Sequence, residues 1–496
     1  MRLNNAALGK IYISGHNFGT FCTRDGIPQF TAQGQEWIFS RTGQWLSFQR
    51  LYAAENPPAP CFSKLSLDQA SHGQRMRLPE EWIVYSLLKA FLASDFRLVF
   101  PMLDGVLFED TIRLAYTQDT VQTLEKRSAN ACVFAFLSMV GPRRLGCEAA
   151  RLVNGDACAA EAQVLLSDFL EESSITMLQT VLMLLAYETF SGRLQAASMY
   201  HAVACRCVFV LGGHMLIPSA PHHGELGVQD REDRQLRILF WVCYVFDKDI
   251  ALRTGQPPII SDEFCDLTFP ECTSSNNGFR APWFPNDLRL SLLKSRVCRL
   301  LYSAPSLRQS DAELLRTIRE LDEELESWRL SIPADFSPTL SVSEKHARLV
   351  ADLDISRSML HIELNLNYQY LMNAIHAASG SRSTLIYLSA AANRLVGEAF
   401  WVFVFYPVSA LVTIFFSILR NPLDEQATQD VELLGLASNI IKSMPISQIT
   451  AHEMAYLGRV DEFVAELGRL GKCAIAKSRN EAKEYARAGF SDNCAG

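Results

Sequence analysis

The chain has no Cys-x-x-Cys pair anywhere in its 496 residues. Its 13 cysteines are too sparse for a disulfide scaffold. Several of them (Cys132, Cys205, Cys207, Cys243) sit inside apolar runs, as reduced thiols acting as small hydrophobes do. Cys205 and Cys207 are one residue apart in an apolar helical stretch, too tight a spacing for the usual zinc sites. Positive charge is also scarce: 46 Lys and Arg against 54 Asp and Glu leave a net charge of −8, the wrong sign for a surface-wide nucleic-acid footprint. The motifs G-x-S-x-G, H-E-x-x-H, the Walker loop and G-x-G-x-x-G are all missing. The familiar sequence routes to acyl, phosphoryl and hydride transfer therefore have no support, and no enzyme is expected. The start "MRLNNAALGKIYISG" lacks an apolar signal core, which argues against secretion. No run alternates with period two for long enough to suggest a sheet.

What the chain does have is apolar residues, 49% of the total, enough for a large core. Residues 1–77 read as an irregular segment, rich in Gly, Gln and aromatics and broken at "ENPPAP". Helices follow: "WIVYSLLKAFLASDF" behind Pro79, then 129–140, 161–173, 174–190 and 194–213. Residues 271–287 form an irregular connector before a helix at 288–303. In "SDAELLRTIRELDEELESWRL", Ser310 and Glu313 make a capping box, and Leu314, Ile318, Leu321, Leu325 and Trp328 recur at coiled-coil spacing. That seam suits either a homodimer or the chain's own core. Further amphipathic helices are expected at 345–378 and 383–399, and 469–496 reads as a solvated, locally basic tail. The expected fold is all-α, a large multi-helix body divided at 78–270 and 271–468 between the N-terminal segment and the tail.

Residues 400–418, "FWVFVFYPVSALVTIFFSI", carry no charge and approach the length of a membrane span. Pro407 interrupts them and no flanking Lys or Arg cluster anchors them. Two shorter buried helices meeting near "YPVS" are expected, with no membrane contact. His214, His222, His223 and Glu225 gather in one loop, which reads as polar rather than metal-binding.

The most distinctive stretch is "LFWVCYVFDKDIALRTGQPPIIS", residues 239–261. Helical spacing lines up Leu236, Leu239, Phe240, Cys243, Phe246 and Ile250 on one buried stripe. Asp249 and Arg253 stand at i and i+4 in the favoured order for a helix ion pair. Gly255 supplies a stop, and Pro257 and Pro258 forbid further helix. Asp247 and Asp249, two apart, point to different faces, which counts against a catalytic carboxylate pair. Asp247, Asp249, Arg253, Gly255 and Pro257 thus read as a structural or regulatory corner. On this reading Asp247→Asn leaves the fold intact.

The same stretch, ending in "CDLTFP", resembles the middle homology region of fungal zinc binuclear cluster (Zn2Cys6) transcription factors. Residues 178–214 resemble that family's two preceding helices, with Gly213 where a leucine is usual. Residues 96–108 and 26–43 resemble its opening and upstream segments, and 405–422 its C-terminal hydrophobic helix. The resemblance implies a nuclear transcription regulator controlling a metabolic or secondary-metabolite gene set. Its partners would be the transcription machinery or other regulators, with room for a small-molecule effector. The family's six-cysteine zinc module is not in this sequence, since Cys22 and Cys61 are the only cysteines before Cys132. No cofactor or metal, and no sequence-specific DNA binding by this chain alone, is therefore expected. The rival reading is a helical small-molecule-binding or enzyme-like body with an apolar cavity.

Overall fold

The computed structural model describes residues 10–13, 16–20, 27–47, 76–94, 96–118, 123–141, 147–169, 172–216, 227–270, 283–284, 286–334, 336–340, 355–376, 378–395, 400–445 and 451–492. Among these the architecture is all-α, with strands confined to one three-stranded and one two-stranded sheet. The chain divides into two units, each assembled from non-contiguous segments.

One unit takes residues 58–250 and 257–295. Its helices begin where a short polar side chain meets the exposed amides of a first turn. Asp104 accepts from the amides of Val106 and Leu107 ahead of Gly105–Ala115. Thr123, Asn154 and Ser174 do the same for Leu124–Val140, Gly155–Leu166 and Ile175–Phe190. Ile175–Phe190 is buried on every face from Met177 to Glu188, so it is a central helix rather than an amphipathic one. Leu124–Val140 and Leu194–Val210 pack beside it. The core is finished by rings such as Phe91 and Phe136, edge to face at 5.9 Å.

The other unit takes residues 1–57, 251–256 and 296–496. Here the irregular N-terminal segment expected from sequence needs correcting. Lys10–Ile13, His16–Thr20 and Gln29–Phe30 pair antiparallel, and Ala32–Thr42 is a helix capped by Thr31. Its Gly and Gln content reads as loop, but Phe18, Phe30 and Trp37 all bring their rings to Phe416, at 6.5, 5.8 and 5.7 Å. Tertiary packing overrides the weak local signal. The break at "ENPPAP" lies outside the described residues.

Asp311–Leu330 carries the expected capping box, with Ser310 and Glu313 each satisfying the other's backbone amide. Its seam is taken: Leu321 and Leu325 are fully buried, and Trp328 stacks on Tyr368 at 6.4 Å, on the helix Ile355–His376 of the same chain. That helix meets Ala378–Ala391 so closely that a Cβ built on Gly380 would stand 2.3 Å from the Gln369 carbonyl oxygen.

The uncharged stretch forms the two expected helices, Phe400–Phe403 and Phe405–Arg420, which meet at Val404, just before "YPVS". Pro407 sits in the first turn of the second helix, where its missing N–H has no partner to lose. Phe400–Arg420 is long and apolar enough to cross a membrane, yet 83% of an apolar 18-residue portion of it is buried inside the protein, as a core helix would be. The final helix runs Ala451–Asp492. Leu470, Ala474 and Ile475 on it are buried, so the tail expected at 469–496 is packed over its first turns.

Candidate functional site

From Leu239 to Tyr244 the helix Val228–Thr254 is buried all round, with every residue at 0–1% exposure. The single stripe read from sequence is too narrow a description. This apolar run then meets Asp247 at 2% and Lys248 at 0% exposure. Charges so placed must be matched by charges and hydrogen bonds.

They are. Asp247 accepts the amide of Ile259 on Oδ1 at 2.8 Å and that of Ile260 on Oδ2 at 3.0 Å. The Lys248 ammonium donates to Asp247 Oδ2 at 3.1 Å and to the Ile260 carbonyl at 2.6 Å, and lies 3.4 Å from Asp262 Oδ1. It also sits 4.5 Å from the centre of the Tyr244 ring. Tyr244 and Ser295 hydroxyls each donate to Asp262 at 2.8 Å. Burial, then the Asp262 charge, push the Tyr244 phenol well above its ordinary range. The cluster thus stitches residues 259–262 back onto the helix they follow. Asn at 247 would turn one acceptor into a donor facing an amide or an ammonium. The expectation that Asp247→Asn leaves the fold intact is therefore corrected.

The ion pair expected between Asp249 and Arg253 is replaced. Asp249 receives the buried Lys294 ammonium at 2.5 Å, which needs a carboxylate more than a half-buried guanidinium does. Arg253 donates to the Val402 carbonyl at 3.2 Å and lies over the rings of Phe405 and Tyr406, at 5.2 and 5.5 Å. Gly255 takes the left-handed stop at φ 69°, its amide bonded to the Ala251 carbonyl at 2.8 Å. Pro257 follows it on the surface.

Arg237, about three turns before Asp247 on the same helix, was not singled out by sequence. Its guanidinium donates to the carbonyls of Gly213 and His214 at 3.4 Å, of Asp266 at 2.6 Å and of Thr268 at 2.8 Å. Burial lowers its pKa against the pull of Asp266. The Gly213 substitution has a local reason too: a Cβ there would come within 2.9 Å of Val208 and 3.0 Å of Leu236.

A second cluster was also missed. His201, Cys205 and Asp247 are all buried, and they bring ligand-type atoms within 4.8 Å of one another. His201 Nε2 lies 3.0 Å from the Cys243 carbonyl oxygen and 3.2 Å from Cys205 Sγ. Burial pushes the imidazole pKa down, but Cys205, Asp247 and the Cys243 carbonyl outweigh it and the net shift is upward. Burial and a hydrogen bond with the Cys243 thiol push the Cys205 thiol well up. No sequence spacing announces this group, because its members come from different helices. His214 packs edge-on against Phe209 at 5.1 Å, while His222, His223 and Glu225 lie outside the described residues.

Every residue of both clusters falls inside residues 148–330, and that stretch matches the fungal specific transcription factor domain. The likeness to that domain is confined to that stretch. The chain's relatives are fungal transcriptional regulators. The ABC-transporter-regulating transcription factor of Aspergillus fumigatus is 26% identical over 508 aligned residues, covering 92% of this chain and 54% of the relative. Its namesake from Aspergillus oryzae is 26% identical with the same coverage. The Fusaridione A cluster transcription factor of Fusarium heterosporum is 23% identical, covering 82% of this chain and 80% of the relative. The chain thus spans about half the length of the first two relatives. No solved structure matches. The buried corner lies within the stretch that resembles this domain.

Proposed function

We propose that this chain is the helical regulatory part of a fungal transcription regulator, acting in the nucleus through contacts with the transcription machinery or other regulators. The observation that carries this reading is the match at 148–330 within a likeness to transcription factors spanning 92% of the chain. The chemistry of the corner supports a non-enzymatic role. Both oxygens of Asp247 are engaged by backbone amides and an ammonium, and Asp249 by a second ammonium, so neither carboxylate is held ready for proton transfer. The names of the relatives, which regulate an ABC transporter or a Fusaridione A cluster, suggest a transporter or cluster gene set as the target here. Reading of base sequence belongs to another module, because acidic surfaces attract phosphate poorly.

Tethering the full chain to a heterologous DNA-binding module upstream of a reporter tests this. Reporter output should change several-fold, up or down, on a basal or an activated promoter. Unchanged output on both promoters, with the fusion expressed and nuclear, would overturn the reading.

A further inference from the structure

We propose that the groove between the helices Ala427–Ser443 and Ala451–Asp492, with the basic face that continues it, is a docking surface for an acidic amphipathic helix of a protein partner. The chain as a whole is acidic, at −8, but the last helix departs from that balance. Arg469, Lys472, Arg479 and Lys483 are all exposed, at spacings of three, seven and four residues. Such spacings keep them on one face of the helix. At 1.5 Å per residue that face is about 21 Å long. Glu481 and Glu484 fall one or two residues off the series and turn to other faces. Arg469 is matched by Glu466 at 2.6 Å, and Arg479 meets only the Thr428 hydroxyl at 3.1 Å. Lys472, Arg479 and Lys483 therefore have no acidic partner among the described residues.

Lys472 and Arg469 also line the groove, which holds about 460 Å³ above Val431, Gly435, Val464 and Gly468. A Cβ on either glycine would meet nothing within 4 Å, so a partner's backbone can come close there. The one acid lining the groove, Asp461, is already neutralised: Lys442 stands 2.5 Å away and the Ser438 hydroxyl donates to it. Arg469 donates as well to the carbonyl of Trp45, a residue left 56% exposed. Tryptophan and arginine are the residue types that most often anchor interfaces. An amphipathic helix fills such a groove with side chains at i, i+3, i+4 and i+7, and its acids then face the unmatched cations. Nucleic acid would bring phosphates for the cations but no apolar side chain for Val431 and Val464. The surface gives the protein contacts proposed above a place, yet direct binding tests it whether or not the chain regulates transcription.

The probe is a fluorescein-labelled synthetic peptide with leucines at i, i+3, i+4 and i+7 and glutamates between them, titrated with the full chain and read by fluorescence anisotropy. It should bind saturably, and more weakly at high salt. Lys472→Glu combined with Lys483→Glu should weaken binding about tenfold, as should replacing the peptide's glutamates by glutamines. Gly468→Met, which fills the groove, should weaken binding to a similar degree without lowering the melting temperature. Arg316→Glu, an exposed charge reversal on Asp311–Leu330, should leave it alone. No saturable binding by the wild-type chain overturns the proposal, and so does equal binding by the double charge reversal or by Gly468→Met. A DNA oligonucleotide that competes as well as the peptide would overturn it in favour of phosphate. Self-association of the wild-type chain that the double charge reversal abolishes would overturn it in favour of a second copy.

Discussion

In Phe405–Arg420 every residue buried between Tyr406 and Leu419 is uncharged, and Thr413 returns its hydroxyl to the turn behind it, at 3.0 Å from the Ser409 carbonyl. In Val228–Thr254 an equally buried run ends in Asp247 and Lys248, with Arg237 also buried before it. Both helices are surrounded by protein, but different things hold them there. The first depends on volume, which many side-chain combinations can supply. The second depends on particular atoms, because each buried charge becomes a cost once its partner leaves. An apolar helix can drift in sequence while keeping its place. A charge-tied helix holds one connection, here the return of residues 259–262, and gives it up all at once.

Lys248→Met is the sharpest way to break that contrast. It strands Asp247 and Asp262 and frees the Ile260 carbonyl, and should cost about 3–5 kcal/mol. The chain should melt far earlier, and adding Asp247→Leu should recover part of the loss in a double-mutant cycle. A loss under about 1 kcal/mol would mean that the charges are solvated and the contrast is empty. Gly255→Val comes next. A β-branched residue at φ 69° should cost about 1–3 kcal/mol, measurable by denaturant unfolding. Leu411→Met in the apolar helix should be milder, under about 1.5 kcal/mol, since volume is kept. If it proves as costly as Lys248→Met, packing there is as specific as charge.

A pH titration sharpens the comparison further. Burial pushes the Cys132 and Cys158 thiols from 9.0 to about 12, with nearby Glu161 adding to the second. An unfolded thiol ionises near pH 9 while the folded one keeps its proton to about 12. Unfolding therefore releases protons in that window, and the stability these thiols contribute is complete below pH 9 and fades as pH rises to 12. Melting temperature should fall across this range in reductant. The fall should flatten in Cys132→Ala with Cys158→Ala, while Leu411→Met leaves its slope alone.

Much of the fold is legible in the chain, because it rests on short-range chemistry. The Ser310–Glu313 box, the Ser174 cap and the Gly255 stop each use residues within a turn or two of one another. Side-chain partnership across the fold is not legible. Asp249 lies four residues before Arg253 yet pairs with Lys294, 45 residues on. His201 reaches Cys243 across 42 residues. Ala32–Thr42 was hidden for a related reason: its support comes from Phe416 and from the last helix, where Lys477 donates to the Ser40 carbonyl at 2.7 Å. A local pattern reports what a segment prefers, while the corner depends on what it meets.

The approach of Ala378–Ala391 to Ile355–His376 at Gly380 has a consequence at the level of the gene. Every coding change at a glycine codon adds at least a Cβ, and here that atom would lie 2.3 Å from one backbone oxygen and 2.9 Å from the Asn373 nitrogen. Backbone cannot swing aside as a side chain can, so no substitution at 380 is small enough. Gly435, Gly458 and Gly468 have nothing within 4 Å of the same atom. In a saturation library these four glycine positions should therefore separate into one that admits no replacement and three that accept alanine freely. Selection on this helical layer would be visible as a single silent position in an otherwise permissive set of glycines.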